Sequence, residues 1–92
     1  MGHVVPRMIT RRQGLKKYYL TAVVWEEEGQ YVSHCPELGV ASCGQDAESA
    51  IEALQEAVGL YLENARRLRM LSELRPALKS RRKLTTSLEV AV

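Results

Sequence analysis

Three features of the 92-residue sequence predict an α+β fold of order β-β-β-α-β, a mixed sheet with one long amphipathic helix on one face. Short runs of β-forming residues fill the first half of the chain and are divided by Gly and Pro. An apolar stripe at helical spacing follows them, and a last run, LTTSLEVAV, returns to alternation. A chain of this length holds one domain.

The first strand is expected over residues 18–26, where YYLTAVVW concentrates aromatic and β-branched side chains. Residues 26–29 supply a turn, with Gly29 as the permissive position. The second strand is expected over residues 30–35 and ends at Pro36, which has no N–H to give a ladder. A short third strand is expected over residues 40–43, just before Gly44. Residues 1–17 show no periodicity and read as a basic, mostly flexible arm, leaving residues 18–92 as the single domain.

The helix carries the strongest pattern. Asp46 precedes a stripe that includes Ala47, Ala50, Ile51, Leu54, Val58, Tyr61, Leu62, Ala65 and Leu68, in steps that keep to one helix face. Pro76 limits the helix, which is expected over residues 47–74. Ser49 stands where a reciprocal capping box usually has Glu, so the box is expected to be incomplete. A closing strand is expected over residues 86–92, beside the first and parallel to it through a right-handed crossover.

That first strand is apolar on both faces, with Leu20, Ala22 and Val24 on one and Tyr19, Val23 and Trp25 on the other. One helix covers only one face. The Tyr19, Val23 and Trp25 face is therefore expected to meet a second copy, making a homo-oligomer, either a dimer or a tetramer.

Charge is segregated along the chain. All thirteen Lys and Arg lie outside residues 18–65, five of them in residues 1–17 and eight in residues 66–83, while residues 18–65 carry nine of the eleven acids. An acidic body with basic ends suits basic partners on the body and polyanions or neighbouring subunits at the ends. No apolar run approaches the ~20 residues that span a bilayer, and no apolar stretch follows the N-terminal bases as in a signal peptide. The chain is expected to be cytoplasmic, off the membrane, with Cys35 and Cys43 reduced.

Residues 18–65 resemble the HicB antitoxin family. The resemblance lies in an aromatic-led first strand, an acidic turn closing on Gly29, Tyr31 after it, and Cys35-Pro36-Glu37-Leu38. Gly44 two residues before the helix cap, Glu56-Ala57 and Tyr61-Leu62-Glu63 complete it. The resemblance implies a partial RNase H-like fold and dimers or tetramers. It also implies a partner, a small basic HicA-type toxin that cuts mRNA with a catalytic histidine. Many relatives add a C-terminal DNA-binding domain. None is expected after Val92, and operator binding by this chain is accordingly not expected.

The cysteine-containing stretch around His34 invites a metal or catalytic reading, which the spacing disfavours. His34, Cys35 and Cys43 lack a paired ligand clip, and adjacent strand residues point to opposite faces. The cysteines read better as small apolar fillers, although they face each other across the hairpin in one alternative. RNase H chemistry needs converging carboxylates, one of them within the first strand, and YYLTAVVW has none. No nucleophile–base pair is evident either, so neither enzyme activity nor a cofactor is expected.

What remains is binding. Glu26, Glu27, Glu28 and Glu37 are the expected contacts for a basic toxin, whose phosphate-binding face an acidic partner would cover. Glu48, Glu52, Glu56 and Glu63 read as a solvated helix face. Arg66, Arg67, Arg69, Arg81, Arg82 and Lys83 are the candidate nucleic-acid contacts, although residues 66–83 contain no aromatic on which a base could stack. Pairing of this segment with the acidic body of a neighbouring subunit is preferred. Two other readings stand beside the antitoxin: a nucleic-acid-binding regulator using residues 66–83, and an orphan oligomer without a toxin partner.

Overall fold

Valine and tryptophan open a strand where the ladder gives them partners. In the computed structural model, which describes residues 17–92, β1 spans Val23–Glu27, β2 Gln30–Cys35 and β3 Val40–Gly44. They form one antiparallel sheet in the order β1-β2-β3. Two helices follow, α1 over Ala47–Arg67 and α2 over Leu71–Lys79. The fold is α+β, as expected. The sheet is antiparallel throughout rather than mixed, and all but Lys17 of the N-terminal arm lies outside the described residues.

β1 begins five residues later than its composition suggests. Val23 pairs with His34, and the register would next set Ala22 against Cys35. That pair would not be hydrogen-bonded, and the next bonded partners would be Thr21 and Pro36, but Pro36 has no N–H to give the ladder. Residues 18–22 therefore leave the ladder, and Thr21 gives its N–H to the Glu37 carboxylate instead, at 3.0 Å.

The β1–β2 hairpin closes through two residues, Glu28 and Gly29, with φ of 54° and 82°. Both values lie in the left-handed region, the geometry that matches the right-handed twist of paired strands.

Asp46 caps α1 by accepting the Ser49 N–H at 2.7 Å, and the Ser49 hydroxyl accepts the Asp46 N–H at 3.2 Å. The capping box is thus complete, contrary to expectation. A serine at the third helical position is long enough to close it when the cap residue is extended, as Asp46 is here. Gly44 lies so close to this turn that a Cβ would stand 2.5 Å from the Ala50 nitrogen.

The long helix expected over residues 47–74 is two helices. A 21-residue α1 is ~31 Å long, already longer than the ~20 Å strands it covers. Arg69 adopts φ 60°, its N–H bonds the Arg66 carbonyl, and the Met70 N–H bonds the Ala65 carbonyl. That pair of bonds is a Schellman stop with arginine where glycine is usual. The chain then turns, and α2 buries Leu78. Pro76 sits inside α2 rather than ending a helix.

α1 packs chiefly on β3 and β2. Cys35, Ala50, Leu54, Ala65 and Leu78 make a thin core, joined by buried Ser33, whose hydroxyl donates to the Ala50 carbonyl at 2.8 Å. The closing strand expected over residues 86–92 is absent. Residues 80–92 form neither helix nor strand, and Leu88 and Val90 stay exposed. Alternation alone does not make a strand where no ladder partner is in reach.

Candidate partner-binding surfaces

Ser33 fixes which side of the sheet faces α1, because its hydroxyl bonds a helix carbonyl. Val24 and Ser42 oppose Ser33 in the register and share that side. The other side carries Val23 and Trp25 from β1, Val32 and His34 from β2, and Ala41 and Cys43 from β3. No described element covers it, and Trp25 is 43% exposed. Val23 and Trp25 thus share the open face, as the oligomer reading requires. Tyr19 does not join them, because it lies before β1 begins.

At the hairpin tip Glu26, Glu27 and Glu28 are all exposed, yet they point to different places. Glu26 lies on the α1 side of the sheet and Glu27 on the open side. There Glu27 accepts the Trp25 indole N–H at 3.0 Å, which sets a carboxylate at the edge of the exposed ring. Glu28 occupies the turn itself.

Glu37 is not part of that tip. Its side chain is only 11% exposed and accepts four donors: the Thr21 N–H, the Thr21 hydroxyl at 2.6 Å, the Lys83 ammonium at 2.7 Å and the Cys35 thiol at 3.4 Å. Burial alone would raise its pKa, but the bonds from Lys83 and Thr21 outweigh burial and hold the carboxyl at about 2. Glu37 works as an internal clasp, a role that spacing could not reveal because Thr21 and Lys83 are 16 and 46 residues away.

Cys35 and Cys43 do not face each other across the hairpin. Cys35 is buried on the α1 side, where desolvation raises the pKa of its thiol, and Cys43 is exposed on the open side. Among the described residues no three His, Cys, Asp or Glu side chains gather as a metal site would need.

The basic residues scatter. Arg66 and Arg67 close the last turn of α1, Arg69 occupies the Schellman turn, and Arg82 is exposed beyond α2. Arg81 and Lys83 instead line a cleft of about 660 Å³ between residues 17–21 and the end of α2. Lys17, Tyr18, Tyr19 and Lys79 line it too. The Lys83 ammonium also donates to the Tyr19 carbonyl at 3.0 Å, pinning the segment after α2 to the segment before β1. Sequence reasoning missed this cleft, since its walls lie some sixty residues apart and no motif links them. A second, more apolar groove of about 370 Å³ runs between Leu20 and the exposed flank of α1 at Ile51, Val58 and Leu62.

Searches against protein-family models, curated proteins and solved structures return no match to this chain.

Proposed function

We propose that the chain is a HicB-like antitoxin, or a protein derived from one, that binds a small basic HicA-type mRNA-cleaving toxin in the cytoplasm and occludes it without catalysis. One observation carries this reading: the exposed carboxylates of Glu26, Glu27 and Glu28 at the hairpin tip. Glu28 holds φ 54°, where glycine or asparagine would be more stable. A glutamate at such a strained position points to a use for its charge. A basic ribonuclease presents its phosphate-binding surface to such a tip, and complementary charge speeds the encounter.

The β-β-β-α order supports the start of a partial RNase H-like arrangement. The uncovered sheet face with Val23 and Trp25 supports a homo-oligomer, a dimer or a tetramer, which leaves Glu26 and Glu28 outside for the toxin and sets Glu27 at the seam.

The test is recovery of the tagged chain from lysate of its own host, with bound proteins identified by mass. A stoichiometric small basic protein, whose RNA cleavage falls when the chain is added, is expected. Reversing the tip charges (Glu26→Lys, Glu27→Lys and Glu28→Lys together) should abolish both capture and inhibition. Recovery of the chain alone across growth conditions would replace this reading with that of an orphan oligomer.

A further inference from the structure

We propose that the cleft between residues 17–21 and the end of α2 binds single-stranded nucleic acid, with a base stacked on Tyr19 and phosphates held by Lys17, Lys79 and Arg81. The inference is independent of toxin binding and uses the opposite end of the charge distribution. Residues 66–83 alone lack the aromatic platform that single-strand binders combine with their cations. Folding supplies it from the other end of the chain, because Tyr18 and Tyr19 line the same cleft as Lys79 and Arg81.

The two tyrosines are held differently. Tyr18 is partly covered, whereas Tyr19 is 81% exposed and free to take a stacked base. The backbone behind it is fixed, since Lys83 grips the Tyr19 carbonyl while paired to Glu37. Lys83 therefore builds the wall and spends its charge on Glu37. Among the described residues Lys17, Lys79 and Arg81 have no carboxylate within ion-pair distance, so their charge faces the cleft and solvent.

Size selects a single strand. A volume of about 660 Å³ lies in the range of sites for small organic ligands, and so suits a nucleotide or two rather than a duplex.

Fluorescence anisotropy with a labelled uridine-rich RNA of about ten nucleotides, at ~50 mM salt and upward, tests this. The full chain is expected to bind. Tyr19→Ala keeps the carbonyl that Lys83 holds and should weaken binding roughly five- to hundredfold, the loss of one stacked base. Arg81→Ala should weaken it and reduce the salt slope by about 0.7, the loss of one phosphate contact. Arg75→Ala removes the same charge from the exposed surface of α2, outside the cleft, and should change affinity less than about twofold. No binding by the full chain at low salt would overturn the proposal. So would equal losses from Arg75→Ala and Arg81→Ala, unchanged binding by Tyr19→Ala, or equally tight binding of a duplex of the same length.

Discussion

Lys83 sets its ammonium 2.7 Å from the Glu37 carboxylate and so ties the stretch after α2 to the turn between β2 and β3. Thr21 bonds the same carboxylate through its N–H and its hydroxyl, and one side chain thereby joins three distant segments. The folded pKa of Glu37, about 2, lies below its ordinary 4.5. A depressed carboxyl contributes stability that is present above the unfolded value and lost as pH falls through the folded one. Thermal midpoints should therefore drop between pH 4.5 and about 2. Glu37→Gln should remove ~1–3 kcal/mol at neutral pH and flatten that acid limb. An acid limb as steep in Glu37→Gln as in the parent chain would show that the clasp is not its source.

Gly44→Ala places a methyl group 2.5 Å from the backbone nitrogen of Ala50 and from the Ser49 hydroxyl oxygen. Backbone cannot rotate out of the way as a side chain can, so β3 or the first turn of α1 must shift. Urea denaturation should show a loss of ~1–3 kcal/mol. Gly59, whose added Cβ would meet nothing within 4 Å, is the control. Gly59→Ala should stabilise the chain by ~0.5–1 kcal/mol through helix propensity alone.

Arg69 ends α1 in the left-handed region at φ 60°. An L-residue is disfavoured there by ~1–2 kcal/mol, and Arg69→Gly relieves the strain while keeping both Schellman bonds. It should raise the thermal midpoint by several degrees, as expected for ~1 kcal/mol in a domain of this size. A lower midpoint would mean that the Arg69 side chain makes contacts outweighing its backbone strain.

Burial and the raised pKa of Cys35 keep its thiol protonated and out of reach, whereas Cys43 stands open on the uncovered sheet face. Maleimide at neutral pH should add one label to the native chain, at Cys43, and a second only in denaturant. If the sheet face pairs with a second copy, labelling of Cys43 should slow as protein concentration rises.

The elements governed by local chemistry were legible in the sequence: the β1–β2 turn at Gly29, the end of β2 at Pro36, β3 before Gly44, and the Asp46 cap. Apart from the capping box that Ser49 closes locally, the misreadings arose where a distant partner decides the outcome. Composition extends β1 back to Tyr18, but Pro36 offers the ladder no N–H opposite Thr21 and the pairing stops at Val23. The apolar stripe runs on through Leu68, but the sheet beneath α1 is too short to use it. In the candidate sites, the tip glutamates followed from their positions beside Gly29. The Glu37 clasp and the shared cleft of Tyr19 and Arg81 did not, because both depend on how segments far apart in the chain are brought together.

Each strand of this sheet neighbours the one before it in sequence, and α1 lies on the two strands that immediately precede it. The search for native contacts is thus short-range almost everywhere, the condition under which small domains fold in milliseconds or less. The link from Lys83 back to Glu37 and Tyr19 is the long exception. Amides of the carboxyl-terminal stretch should therefore exchange with solvent before those of the sheet and α1.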